Sequence, residues 1–296
     1  MTKITIYTLL FINIIIFGCK GKPESPVHRE LMKVSIDTTN VLLKYENTLL
    51  CIPSPYQVAH FLKKNEFAIN HELVNPITNH KNYNTNFKRA INLGIYGADL
   101  SYLNIYNQSQ EALLYITAVK DLSDQVGLST AFKNELLTRI EKNLGNEDSL
   151  LLLLSHAYRN ANSYLKSNAR ESLGTLIITG GWIESLYILS QKALENPNNR
   201  ELINRIGEQK HPLNNLVKIL SPYYFESPEF GSLIDALYDL SNEFDGIIYT
   251  YSYQEPEIDT LNKITKINST SKVTLSEYHL RIIAKKIKSL RKNLIK

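Results

Sequence analysis

Apolar residues return every three to four positions through most of this chain, and that period commits it to helices packed side by side. Ala112, Leu113, Ile116, Val119, Leu122 and Val126 form one such stripe, begun at Ser109 and stopped by Gly127. Phe132, Leu136, Leu137 and Ile140 form another, after Ser129 and before Gly145. Ser54-Pro55 caps a helix over Tyr56–Asn65, and Asp148 opens one through the five leucines Leu150–Leu154. Longer helices are expected over Thr85–Tyr106 and over Arg170–Glu195, which Asn196-Pro197 ends. Arg200–Leu220 reads as helix interrupted at Pro212, and Ser227-Pro228 restarts helix toward Phe244. Ser276 opens the last helix, striped by Ile283, Ile287, Leu290 and Leu294. Ile247–Ser271 departs from the period. Its strand-forming Ile248, Tyr249, Thr250 and Tyr251 precede Pro256 and a polar run, which fits an irregular or hairpin insertion. Asn75–Asn84 reads as a loop. The expected fold class is therefore all-α, a multi-helix antiparallel bundle or array with one short insertion near 247–271.

Two helices carry carboxylates where apolar or small residues would be expected. Glu184 stands four and three residues after Gly180 and Gly181, and four before Ile188. These positions share its helix face. Each mid-helix glycine costs about 1 kcal/mol against alanine, so close approach of another helix or a ligand must offset it. Asp99 lies beside Gly94, Gly97, Ala98 and Ser101, with Tyr96, Tyr102, Leu103 and Tyr106 nearby in sequence.

Three arrangements suit these residues. In the first, the helices pack through their glycines, and buried arginines or tyrosine hydroxyls neutralise the carboxylates; Arg159 and Arg170 are candidates. In the second, a pocket between the helices is lined by Tyr96, Asp99, Tyr102, Trp182 and Glu184 and takes a cationic or polyhydroxyl ligand. In the third, the two carboxylates perform the acid–base chemistry of a hydrolase.

At the amino terminus Lys3 precedes an apolar run, Ile4–Phe17, which meets Gly18-Cys19. The run has the length of a signal-peptide core and is short for a membrane span. Ile16-Phe17-Gly18-Cys19 resembles the bacterial lipobox, although Phe17 stands where a smaller residue is usual. That resemblance implies cleavage after Gly18, and thioether lipidation and acylation of Cys19. Residues 1–18 would then be a signal peptide, 19–30 a tether rich in Lys, Gly and Pro, and 31–296 a single helical domain. Two acyl signals suffice for stable anchoring. The expected location is the cell envelope, with the outer membrane favoured. The Lys-, Asn- and Ile-rich helical body is similar to lipoproteins of the Bacteroidota, a resemblance that brings no particular activity with it.

Composition narrows the function classes. Hydrophobic residues make up 43% of the chain and charged ones 21%, an ordinary globular balance. The formal net charge is +4, or +3 without Lys3, which gives no reason to expect a nucleic-acid partner. Of 2 cysteines, lipidation would consume Cys19 and leave Cys51 without a disulfide partner, in an apolar run that suggests burial. The 7 histidines never share a helix face at metal-ligand spacing, and Glu208-x-x-His211 occurs once with Pro212 behind it, so no metal site or cofactor is expected. The zincin, thiol-redox, nucleophile-elbow and phosphate-loop motifs are absent.

The basic last helix, with Arg281, Lys285, Lys286, Lys288, Arg291, Lys292 and Lys296, reads as a solvated face, or alternatively as a contact for anionic lipid. An echo between Ile105–Leu113 and Leu186–Leu194 raises the option of two weakly related helical halves. Together these features favour an envelope-anchored, non-enzymatic binding or scaffold lipoprotein with a protein partner. A small-molecule binder using the carboxylate and tyrosine pocket is the first alternative, and a hydrolase using Asp99 and Glu184 the second.

Overall fold

Central to the fold are two helices that nearly touch. The computed structural model describes residues 40–45, 48–130 and 134–296; the signal segment, Cys19 and the tether lie outside them. Helix α2, Asn86–Ile105, and helix α6, Glu171–Glu195, are buried along most of their length. A Cβ on Gly94 would collide with the carbonyl oxygen of Ile177, and one on Gly180 with that of Ile91. The two glycines thus let each helix seat its backbone against the other, which offsets their helix-propensity cost. Helix α6 is long and apolar enough to cross a membrane, yet 94% of its most apolar window is buried in protein, as in a core helix.

The remaining helices wrap this pair. Ser54 accepts from Gln57 N–H and Pro55 takes the first turn of α1, Pro55–Lys64. Thr85 caps α2 by accepting from Lys88 N–H at 3.1 Å. A turn with Asn107 at φ 59° leads into α3, Ser109–Gln125, and the positive φ of Gly127 ends it. Helices α4, Asn134–Lys142, and α5, Glu147–Ser167, form a second hairpin beside α6. Then follow α7, Arg200–Gly207; α8, Lys210–Leu220; α9, Pro228–Asp245; and α10, Glu277–Leu294. Helix α10 packs on both α6 and α9. Among the described residues the fold is all-α and multi-helix, with only short antiparallel strand pairs beside the helices.

Three local readings change. The break between α7 and α8 falls at Glu208-Gln209, and Pro212 sits in the first turn of α8, where its missing N–H costs no helical bond. A hairpin unforeseen from periodicity, β1 (Asn40–Tyr45) with β2 (Thr48–Pro53), precedes α1. Strand alternation in β2 buries Leu50 and Ile52 and turns Cys51 outward, so the expected burial of Cys51 is wrong. The echoed segments also differ: Ile105–Leu113 crosses the turn between α2 and α3, while Leu186–Leu194 lies within α6.

The insertion is a long hairpin arm. Strand β3, Ile248–Ser252, pairs with β6, Thr270–Thr274, and β4, Glu257–Asp259, pairs with β5, Ile264–Lys266. The arm reaches three residues beyond the expected Ser271 boundary, because β6 continues to Thr274.

Candidate functional site

Asp99 and Glu184 stand on the glycine-bearing helices α2 and α6 and are both completely buried. Glu184 accepts two hydrogen bonds from one guanidinium: Arg291 Nε to Oε2 and Arg291 Nη2 to Oε1, each 2.6 Å. This is the bidentate fork that suits arginine to carboxylates. Arg291 comes from α10, and α10 carries it across into the α2–α6 core. Its Nη2 also donates to Leu73 O at 2.9 Å, and its guanidinium lies 4.2 Å from the Tyr187 ring centre. Burial lowers the Arg291 pKa, but the Glu184 charge outweighs that effect and raises it above the usual arginine value.

The Asp99 carboxyl completes the cluster. Its Oδ2 accepts from Asn75 N–H at 3.1 Å. Burial, reinforced by the Glu184 charge, pushes its pKa well above the carboxylate range. The Glu184 charge nearby opposes a second buried anion, so the fold favours a protonated Asp99. Oδ1, which meets no donor among the described residues, is the oxygen left to carry the proton. The cluster is then a neutral acid, a carboxylate and a guanidinium, with no net buried charge.

A strap of chain closes over these groups. Residues 66–84 make two 3-10 turns, His71–Leu73 and Ile77–Asn82, instead of a plain loop. A buried loop must satisfy its backbone polar groups, and tyrosines do so here. Tyr96 OH donates to Pro76 O at 2.8 Å, Tyr115 OH to Asn75 O at 2.8 Å and Tyr106 OH to Phe67 O at 2.7 Å. Asn70 N–H donates to Tyr102 OH at 3.0 Å, and Asn75 Nδ2 to Tyr83 OH at 3.0 Å. Burial raises the pKa of each of these tyrosines, that of Tyr102 to about 12. All keep their proton, and Tyr96, Tyr106 and Tyr115 use it to donate.

Of the five residues expected at a site, Tyr96, Asp99 and Glu184 belong to one buried network. Tyr102 ties the strap farther along at Asn70. Trp182 turns to the other side of α6, where its Nε1 donates to Gln209 Oε1 at 3.0 Å. Neither Arg159 nor Arg170 neutralises Glu184. Arg159 is exposed, and Arg170 stands beside Gly127. Arg291 was read as part of a solvated basic face and is 7% exposed. Its position did carry a signal: it continues the apolar stripe Ile283–Ile287 by four residues and precedes Leu294 by three. Asn75, Tyr83 and Tyr115 were also missed, because the strap and α3 bring them in; Tyr187, missed too, lies on α6 itself, three residues after Glu184.

The cluster opens into neither of two cavities found elsewhere. One, about 50 Å³ and almost wholly apolar, lies under the α4–α5 hairpin against Leu93 and Gly97 of α2. The other, about 470 Å³, is a groove between α9 and α10 floored by Phe87, Leu233 and Leu290. No group of three or more potential metal ligands occurs among the described residues.

The raised Asp99 pKa has a measurable consequence. Above about pH 4 the unfolded chain releases the Asp99 proton while the folded protein keeps it. Wild-type stability therefore carries a loss from this group that grows with pH, with a limiting slope of about 1.4 kcal/mol per pH unit, up to the folded pKa. Asp99→Asn preserves an acceptor for Asn75 and removes the titration. The variant should gain on wild type as pH rises above about 4.5 in urea unfolding. Parallel stability curves would show that Asp99 is ionised in the fold.

Comparison with protein-family models, curated proteins and solved structures returned no significant match.

Proposed function

We propose that this protein is a non-enzymatic binding or scaffold lipoprotein, tethered to the cell envelope through Cys19, that acts through protein contacts. The observation that carries the reading is a contrast in the use of side chains. The carboxylates best suited to chemistry are spent inside the core on Arg291 and Asn75. Large apolar side chains are instead displayed on the hairpin arm: Tyr251, Tyr253, Ile258, Leu261, Ile264 and Ile267, with Leu261 94% exposed. Such a concentration of exposed apolar groups marks a contact surface.

Two experiments test this. Cys19→Ser should abolish labelling by radioactive palmitate and release the protein from washed membranes. Continued labelling or membrane retention would remove the tether from the proposal. Leu261→Ser/Ile264→Thr/Ile267→Thr should leave the melting temperature within about 2 °C of wild type, since these residues touch no core. The same triple variant should lose the cross-linked species that formaldehyde traps in intact cells. An unchanged cross-linking pattern would remove the arm as the contact element.

A further inference from the structure

We propose that the arm binds the arm of a second copy of this chain, face to face about a two-fold axis. This rests on the reading of the protein as one that works through protein contacts.

Charge is sorted by half along the arm. The outgoing half of the arm carries Glu255, Glu257 and Asp259, and the returning half carries Lys263, Lys266 and Lys272. A two-fold axis running along the arms lays each acidic half over the basic half of the other copy, so one patch complements itself. The equal numbers of acids and lysines remove the attraction an anionic lipid surface would need.

Edge-to-edge pairing is opposed by Pro256, which lacks a donor, and by the lysines flanking the returning strand. The faces are not so blocked. Tyr251 in β3 and Tyr253 just beyond it are both mostly exposed. The tip is fixed in shape: Asp259 Oδ1 accepts from Leu261 N–H and Asn262 N–H, each at 3.0 Å, and holds Leu261 outward. A preset tip lowers the ordering cost of association.

The test uses the full chain in the cells that make it, with a benzophenone side chain in place of Tyr253. Ultraviolet light should yield a band of twice the monomer mass that contains only this protein. Lys263→Glu/Lys266→Glu should reduce that band at least about fivefold, and Glu255→Lys/Glu257→Lys should do the same. Producing the two variants together should restore it as a mixed dimer. Exchanging all four residues in one chain retains the Glu257–Lys266 pairing within the arm and should also restore the band. A benzophenone product with a different protein would overturn self-pairing and leave the contact reading standing. No product in any form would overturn both.

Discussion

Gly94→Ala should abolish folding or cost at least about 4 kcal/mol, among the largest effects a single methyl group produces. The added carbon falls on the Ile177 carbonyl oxygen, part of a helix backbone that cannot rotate aside. Gly180→Ala meets Ile91 in the same way and should behave alike. Gly97→Ala should do the opposite. Gly97 lies only three residues on in α2, but it borders the apolar cavity of about 50 Å³. There the methyl group fills space and the helix gains propensity, so stability should rise by about 0.5–1 kcal/mol. Thermal unfolding of the three variants beside wild type settles the matter. Similar losses at Gly94 and Gly97 would mean that the close contact of α2 with α6 is not what the glycines serve.

Arg291→Met should cost about 3–5 kcal/mol, because it leaves the Glu184 charge buried without its cation. Glu184→Gln should cost less, about 1–3 kcal/mol. Asp99 lies near enough to feel the Arg291 charge, and with residue 184 neutral it can give up its proton to become the counter-ion of Arg291. The double variant Arg291→Met/Glu184→Gln buries no charge and should recover at least about 2 kcal/mol of the loss in Arg291→Met. Chemical denaturation of the four proteins gives this cycle directly. Strictly additive losses would show that Arg291 and Glu184 do not depend on each other. The result also bears on function: large structural costs with no change in partner cross-linking fit the proposed scaffold, whereas an unaffected fold with lost binding would favour a ligand site at Glu184.

The helical architecture was written into local patterns. Stripes at helical spacing, serine and threonine caps, and stops such as Gly127 and Asn196-Pro197 act over a few residues, so sequence alone locates most helices. It also marked α2 and α6 as the close pair, because glycines flanking a carboxylate on an apolar face need a neighbour to explain them. Period-two alternation is harder to read in a six-residue strand, which is why the apolar run around Cys51 suggested burial although the thiol faces outward. What sequence could not supply were partnerships over long separations. Nothing local connects Arg291 to Glu184, 107 positions away, or to Leu73, 218 away. Those bonds exist because α10 folds back onto α6 and delivers a cation to a carboxylate that cannot stay charged and buried alone. Sequence determined which helices form and which faces they bury. The tertiary structure decided that Asp99 and Glu184 are held by Arg291 and a tyrosine-bound strap, since electrostatic compensation depends on distance in space and not along the chain.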